Sequence, residues 1–584
     1  MSRYLGIDPR WYLGVVAAAG LFALGSLPEL VKNALMLLLL STYTLSLATS
    51  LSGMKLFFFL LFTAGPTLLL IASLARKEKD LTFAPLMLLL VPALGQLVLA
   101  RDLLQFFFAW EWMTVASYFL VLKGKKAETG ALTYIAFSVG GAFFLLAAVA
   151  LGQAQVQSWG YDLMNGLIHH RSLFFALASV AFLVKMGAMG LHLWLPSSYT
   201  EAPDDVTPVL SAVLSKAGVM GLLILLLSFG APVVYRINLA TLLGWLGILT
   251  AFGATLVAIF QEDAKKLLAY SSMGQIGYIM VGFTTLSHLG WVSALYHTAN
   301  HFLFKGLLFL AVAGVVYRVK TRNMYEMGGL IKRMPFSYFS VMIGIIAMSG
   351  VPPLTGFGSK WLLYEAMIER GWYLQTGIAF MSSTIAFLYL FRLVHSIFLG
   401  MPKEAHLEIK EAPLWFLIPQ GLLILAIMVA SMVPKWVIEP LSNWVHPILP
   451  ATVRWEGHTL FSTLGYWNGS MMMVLVMSIF MGLLLWMWIA RPKLQQVKPF
   501  NIGFAGEAPQ RPEWTHYAYG FFEPYRRAFG PLLGPWVERS YASLYRFTQD
   551  CATLLRGIYT GNAQTYALFI LITAVFTFFF TQGR

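Results

Sequence analysis

The chain has 584 residues, of which 58% are apolar and 11% charged, with a formal net charge of +14. Soluble chains carry about 25% charged residues, so a soluble fold is excluded. The single cysteine excludes a disulfide framework, a CxxC site, an iron–sulfur cluster and a zinc knuckle, and no GxGxxG, P-loop or HExxH string occurs.

A helix that crosses a bilayer needs about 20 apolar residues. The N-terminal MSRYLGIDPR carries Asp8 and leads into no clear cleavage site, so no signal peptide is expected. In chain order, spans are predicted at 11–28, 30–51, 55–75, 81–100, 102–122, 130–154, 172–195, 206–229, 237–260, 267–287, 289–317, 336–369, 372–400, 413–434, 468–490 and 563–581. The fold class is therefore an all-α polytopic membrane protein of about sixteen helices. Between the last two spans lies a polar stretch, 491–562. Within it, residues 535–560 set Trp536, Tyr541, Leu544, Phe547 and Leu554 among Arg539, Arg546 and Arg556. That pattern predicts an amphipathic helix at a membrane interface.

Basic clusters support the count. Arg76, Lys77 and Lys79 follow span 3; Lys123, Lys125 and Lys126 follow span 5; Lys265 and Lys266 follow span 9. Arg318, Lys320, Arg322, Lys332 and Arg333 follow span 11, Lys403 and Lys410 span 13, and Arg491, Lys493 and Lys498 span 15. All follow odd-numbered spans and so share one side, which the positive-inside rule makes cytoplasmic. Both termini are then expected on the outer side of the cell membrane. The positive charge reads as loops beside anionic lipid rather than as a nucleic-acid surface.

Several ionisable residues fall inside spans: Glu111, Lys185, His192, Lys216, His297, His301, Lys305, Lys360, Glu365, Arg392 and His395. A charge at mid-bilayer costs at least about 2.5–3.5 kcal/mol, and such residues normally face a bundle interior or a wet cavity. A lysine whose carboxylate partner can move is able to switch between charged and neutral forms, as a proton relay requires. Plainer readings stand beside this one. Glu111 and Lys185 could form a static pair, Lys305 could snorkel, and Arg392 and His395 could snorkel or contact a partner. Asp204 and Asp205 precede span 8 and read as structural charges at a helix start.

Backbone interruptions add a second signal. Span 7 reads KMGAMGLHLWLP, with Lys185 just before two glycines and Pro196 at the end; span 12 reads SGVPPLTGFGSKW, with Lys360 after two prolines and two glycines. Broken helices five spans apart suggest an inverted repeat, spans 4–8 against 9–13, and broken helices at matching positions point to an ion site. The predicted organisation is then 1–80 (N-terminal helices), 81–230 and 237–400 (the two repeats), 413–490 (further helices), 491–562 (a cytoplasmic-side amphipathic, lateral segment) and 563–584 (the final helix).

The string FFAWEWMTVASYFLV around Glu111 resembles the antiporter-like subunits of respiratory complex I, multi-subunit cation/proton antiporters and membrane-bound hydrogenases. So do LVKMGAMGLHLWLPSSYTEAPDDVTPVLSAVLSKAG, DAKKLLAYSSMGQIGY, HTANHFLFKGLLFL and SGVPPLTGFGSKW, so that the resemblance covers roughly residues 80–400. It implies two inverted five-helix repeats, each with a broken helix. It also implies roles. Glu111 and Lys185 match the family's glutamate–lysine pair and Lys216 its central lysine. His301, with His297 and Lys305, matches the bridging element, and Lys360 the terminal lysine. His192, Glu365, Arg392 and His395 are possible accessories. Some complex I members carry glutamate at the last position, where this chain has Lys360.

The tail, GEAPQRPEWTHYAYGFFEPYRRAFGPL followed by RGIYTGNAQTYALFILITAVF, resembles more loosely the large membrane subunit of hydrogenase-4 and formate hydrogenlyase complexes. The resemblance implies a proton-translocating subunit with no cofactor of its own. Its partners would be other membrane subunits and a peripheral redox arm carrying nickel–iron and iron–sulfur centres. The alternatives are a subunit of a multi-subunit sodium/proton antiporter, a complex I pumping subunit, a structural membrane anchor and, more weakly, a partner in inorganic-carbon uptake.

Overall fold

In a computed structural model of the chain, the residues described are 9–156, 170–230, 232–399, 402–490, 519–520, 522–531, 534–558 and 561–582. They form two compact units, Met1–Arg527 and Ala528–Arg584.

The first unit is almost wholly helical. In chain order its helices are α1 (Pro9–Ala23), α2 (Glu29–Ala48), α3 (Gly53–Leu69), α4 (Phe83–Leu99), α5 (Leu103–Leu122), α6 (Glu128–Val156), α7 (Arg171–Met186), α8 (Trp194–Glu201) and α9 (Thr207–Phe229). They continue with α10 (Leu239–Ile259), α11 (Ala264–Thr284), α12 (His288–Val319), α13 (Pro335–Ser349), α14 (Thr355–Glu369), α15 (Tyr373–Val394), α16 (Leu414–Met432), α17 (Lys435–Val445) and α18 (Gly469–Ala490), and α19 (Glu523–Phe529) starts in this unit and ends in the next. Among the described residues, nine helical segments are long and apolar enough to cross a membrane, and shorter apolar helices accompany them. The architecture is that of a polytopic membrane protein. Each predicted span coincides with one helix or, for spans 7 and 12, with a broken pair.

Two features depart from an all-α reading. A two-stranded hairpin, β1 (Val233–Val234) with β2 (Ile237–Asn238), joins α9 to α10. A three-stranded antiparallel sheet, β3 (Arg454–Glu456), β4 (Thr459–Phe461) and β5 (Tyr466–Trp467), precedes α18. The sheet and β1 lie where the sequence predicts loops, whereas β2 takes the first two residues of the predicted span 237–260.

Local chemistry sets the helix starts. The side chains of Asp102, Asn238, Asp263 and Ser287 each accept an N–H from the first turn of the helix that follows. Both broken helices stop at a left-handed glycine, Gly187 (φ 70°) after α7 and Gly350 (φ 79°) after α13. Beyond Gly350, Pro352 and Pro353 supply no N–H, so the ladder cannot resume until Thr355. There the Thr355 N–H is received by Ser431 of α16 (3.0 Å).

Contacts sort the loops into two sets. Arg76 grips Asp205 through two bonds and also reaches Asp80, which in turn receives Lys123 at 2.6 Å. Lys265 pairs with Asp204 at 3.0 Å, Arg322 with Asp263, and Arg318 donates to the Glu411 carbonyl. These loops all follow odd-numbered spans. Asp204 and Asp205 thus serve as ion-pair partners for distant loops, which is more than a helix-start role. At the other end of the unit, Arg171 donates to the Phe229 carbonyl, and His288 meets Ser442 and Thr452.

The second unit holds α20 (Trp536–Ile558) and α21 (Ala563–Gln582). The 23 residues of α20 extend about 35 Å at 1.5 Å per residue. Trp536, Leu544, Phe547 and Leu554 are exposed on it. The predicted amphipathic helix is therefore present, while residues 491–518 of the predicted 491–562 segment lie outside the described residues.

Candidate functional site

Lys185, Lys216, Lys305 and Lys360 are each at most 2% exposed. A buried ammonium needs oxygen ligands in good geometry, and each of these finds uncharged ones.

Lys185 ends α7, one residue before the last of its helix. Its Nζ donates to Tyr134 Oη (3.0 Å), Thr114 Oγ1 (3.2 Å) and Ser138 Oγ (3.4 Å), and it lies 4.9 Å from the Tyr134 ring centre. Tyr134 in turn meets Ser117. Glu111 is half-buried on α5, with Oε1 shielded and without a hydrogen-bond partner. No ion pair joins Glu111 to Lys185. The carboxylate is within electrostatic reach of the lysine, but the three hydroxyls occupy the ammonium. The expected glutamate–lysine contact, static or otherwise, is thus not made here.

Lys216 sits two residues beyond a π-helical segment, Leu210–Leu214, within α9. Such bulges put backbone carbonyls out of the regular ladder. Lys216 Nζ takes the Ser211 carbonyl at 2.7 Å, with Ser215 Oγ at 3.4 Å. Ser211 Oγ bonds Ser272 Oγ of α11 (2.9 Å), and Ser272 donates to the Leu268 carbonyl (2.9 Å). That same carbonyl receives Lys305 Nζ at 3.1 Å, and Lys305 also donates to Ser271. A continuous string of polar contacts thus joins Lys216 to Lys305. Lys305 does not snorkel, being fully buried at the centre of α12.

His297, one turn before His301 on α12, is fixed from both sides: Nδ1 meets Ser359 Oγ (2.9 Å) and Nε2 meets Gln275 Oε1 (3.1 Å). Asn300 donates to the Thr355 carbonyl and to Ser359. His301 is fully buried, and the backbone of Ser272 is the polar group closest to bonding its ring, short of good hydrogen-bond geometry. It stands within electrostatic reach of Lys216, Lys305 and His297, and His297 within reach of Lys360.

Lys360 lies on the second half of the broken span. Its Nζ takes the Met348 and Ser349 carbonyls, at 3.1 and 3.0 Å, and Ser383 Oγ at 2.9 Å. Those carbonyls end α13, where the helix leaves them without intrahelical partners and where its dipole favours a cation. Tyr278 and Tyr364 share Ser383 as a partner. A Cβ on Gly350 would stand 2.7 Å from Lys360 Cδ, so the close approach requires glycine there.

The accessory candidates divide. Arg392 is buried and clamps loops: it donates to the Ile259 carbonyl (2.7 Å) and Tyr325 Oη (2.6 Å), and packs over Phe522. These are contacts within the chain, next to the loop that follows span 11. His395 opens a π-helical segment just beyond it. His192 lies in the break between α7 and α8, against Tyr270. Glu365 is buried five residues beyond Lys360 on α14, about 140° round the helix from it.

Sequence reasoning missed the neutral partners: Tyr134, Ser211, Ser271, Ser272, Gln275, Ser359 and Ser383. It also placed Lys265 among loop charges, although that side chain is buried and bonds the Ala202 carbonyl at 2.7 Å. Among the described residues, no cluster of three or more His, Cys, Asp or Glu could hold a metal ion.

Residues 100–386 match the family described as NADH:quinone oxidoreductase/Mrp antiporter, transmembrane. Hydrogenase-4 component B of Escherichia coli is 25% identical over 537 residues, covering 80% of this chain and 79% of that one. Formate hydrogenlyase subunit 3 of the same organism is 27% identical over 468 residues, covering 75% and 73%. A chain of the membrane-bound sulfane sulfur reductase, an archaeal respiratory membrane complex, superposes with a TM-score of 0.84 at 26% identity and covers 97% of this chain and 99% of its own length.

Proposed function

This chain belongs to the antiporter-like proton-translocating subunit family shared by NADH:quinone oxidoreductases, Mrp-type antiporters and hydrogenase-4 and formate hydrogenlyase complexes, and from that membership we propose that it couples redox chemistry in partner subunits to proton movement across the membrane. The observation that carries the reading is the set of buried lysines seated on neutral oxygens, Lys185, Lys216, Lys305 and Lys360, with His297 and His301 buried beside them. An ammonium held by a carboxylate keeps its charge; one held by hydroxyls and carbonyls can release a proton without stranding an anion.

In the proposed cycle, a proton from the cytoplasmic side loads Lys216. Contact of Glu111 with Lys185 holds positive charge on Lys185. Loss of that contact, the arrangement seen here, sends the lysine to its hydroxyl cage and alters the field at Lys216. Charge then passes through Lys305 and His301 toward His297 and Lys360, and leaves on the opposite side. The inverted-repeat reading of spans 4–8 and 9–13 is supported by the broken fourth helix in each set, α7–α8 and α13–α14. The separation of loop contacts into two sets supports alternating spans, and the positive-inside rule assigns the basic set to the cytoplasm. The redox partner is proposed to be a peripheral arm of hydrogenase-4 or formate hydrogenlyase type, bearing nickel–iron and iron–sulfur centres. The whole-length likeness to a sulfane sulfur reductase chain favours an arm of that type as the second reading.

The test is Lys216→Ala in the assembled complex, assayed in native membrane vesicles. Proton translocation is expected to fall by at least about 100-fold, with partner redox activity partly retained. Undiminished translocation would refute the central role of Lys216, and transport that requires sodium would favour an antiporter subunit.

A further inference from the structure

Among the described residues, Lys360 Nζ has three hydrogen-bond partners, and they differ in what they can do with a proton. Two are the Met348 and Ser349 carbonyls at the end of α13, at 3.1 and 3.0 Å. A backbone carbonyl accepts a hydrogen bond but has no proton to pass on. The third is Ser383 Oγ of α15, at 2.9 Å. A hydroxyl accepts and donates at once, so of these contacts only Ser383 leads onward.

Ser383 meets two phenols besides the lysine. Tyr364 Oη donates to it at 3.0 Å, and Tyr278 Oη lies 3.3 Å away. The ammonium and Tyr364 fill its two lone pairs, which leaves its own O–H for Tyr278. The Tyr278 hydroxyl donates in turn to the Ala379 carbonyl (3.1 Å), so that branch ends at backbone, and Tyr278 is 1% exposed. Tyr364 differs on both counts. Its hydroxyl is not committed to a backbone carbonyl among the described residues. Tyr364 and Ser383 are also half-buried, whereas Lys360 is 2% exposed. Tyr364 stands four residues after Lys360 on α14, one turn along the same face and about 6 Å nearer the end that leads away from the basic loops. Its ring is seated against Phe380 of α15, 6.1 Å between centres. Lys360, Ser383 and Tyr364 thus form an unbroken line of contacts from the core of the unit to its surface.

We propose that Ser383 takes the proton from Lys360 and that Tyr364 delivers it to water at the surface of the unit. This rests on the proton-translocation reading above. Rotation of the two hydroxyls first reverses their bond, so that Ser383 donates to Tyr364. The Lys360 ammonium then gives a proton to Ser383 Oγ, the Ser383 O–H proton passes to Tyr364 Oη, and the Tyr364 O–H proton passes to a water molecule. In each transfer the electron pair of the broken bond stays on the donor atom. Each hydroxyl gains one proton and loses one; the lysine is left as a neutral amine and the water as hydronium. Water is the only co-reactant.

The experiment uses the assembled complex in native membrane vesicles, with the melting temperature of each variant complex read alongside. Ser383→Ala leaves both carbonyls on Lys360 and is expected to lower translocation by at least about tenfold. Ser383→Thr, which restores a hydroxyl, is expected to recover most of it. Tyr364→Phe keeps the ring against Phe380 and leaves the bond from Lys360 to Ser383 in place. It too is expected to lose at least about tenfold, without a matching loss of stability. A static cage loses one hydroxyl on Ser383 in Tyr278→Phe just as in Tyr364→Phe, whereas the relay runs through Tyr364; Tyr278→Phe is therefore expected to fall by less. Wild-type translocation by Tyr364→Phe, or a fall in Tyr278→Phe that equals or exceeds it, overturns the relay. If Lys216→Ala also translocates normally, the failure belongs to the proton-translocation reading itself; if Lys216→Ala abolishes translocation while Tyr364→Phe leaves it intact, only the release path is lost.

Discussion

Buried and half-buried cations in this protein are satisfied in two chemically distinct ways. Lys32, Lys123, Lys265 and Arg76, near the loops, each meet a carboxylate: Glu29, Asp80, Asp204 and Asp205. Lys185, Lys216, Lys305 and Lys360 meet only hydroxyls and carbonyls. Carboxylate pairs fix charge, which suits an anchor between loops; neutral oxygens leave the proton free to go, which suits a relay. Asp80 shows the anchoring mode in measurable form. Burial alone would raise its carboxyl, but the bond from Lys123, the Thr82 amide and the charges of Lys123 and Arg76 outweigh burial and hold it below the usual carboxylate range. A group whose folded value is depressed adds stability above its unfolded value, near 4, and that stability fades as pH falls through the lower folded value. The thermal stability of the purified protein should therefore keep the Asp80 contribution down to about pH 4 and lose it below. The Asp80→Asn variant should be less stable at pH 7 and should converge with wild type in acid. A constant gap between the two melting curves at every pH would mean that Asp80 acts through packing or caps alone.

Elements, more than single residues, were readable in advance. Spans 7 and 12 announce their breaks, because Gly187, Gly350, Pro352 and Pro353 are residues whose backbone chemistry a helix cannot absorb. The titratable members of the site stand out for a similar reason: in an apolar span, each charge needs a justification. The hydroxyl and amide partners do not stand out. A serine costs little in a membrane helix, and which serine meets Lys305 or Lys360 depends on how α11 packs on α12 and α14 on α15, which no local pattern encodes. The same blindness explains why Glu111 and Lys185 were expected in contact: spacing on α5 and α7 permits it, while Tyr134 and Ser138 on α6 compete for the ammonium. The sheet before α18 escaped notice because its strands are two or three residues long. The break in span 12 also makes an element-scale prediction. Gly350 and Gly371 share a left-handed backbone, at φ 79° and 78°. A Cβ on Gly371 meets nothing within 4 Å, whereas one on Gly350 meets Lys360 Cδ at 2.7 Å. Both alanine variants should cost about 1–2 kcal/mol in backbone strain, seen as a lower melting temperature. Only Gly350→Ala should also impair translocation, by pushing Lys360 off the α13 carbonyls. Equal translocation in the two variants would show that the helix break does not set the lysine's seat.

At the scale of the whole molecule, alternation is the property on which everything else depends. The two sets of loop contacts already agree with it: Arg76 reaches Asp205, Lys265 reaches Asp204 and Arg322 reaches Asp263 across loops of one set, while His288 reaches Thr452 across loops of the other. Had a span been miscounted between these loops, partners would have been assigned to opposite faces of the membrane. The chain also carries its own probe. Cys551 is its one cysteine and is exposed on α20, in the stretch assigned to the cytoplasmic side. Glu456, on β3, is 58% exposed at the side chain and lies in the loop assigned to the opposite side. Only span 15, helix α18, separates the two positions. A membrane-impermeant maleimide should therefore label Cys551 in inside-out vesicles and leave it untouched in right-side-out ones. With Cys551→Ser and Glu456→Cys combined, the pattern should reverse. Labelling of both positions from the same side would mean that α18 does not cross, and the assignment of basic loops to the cytoplasm and of Lys216 to uptake from that side would fall together.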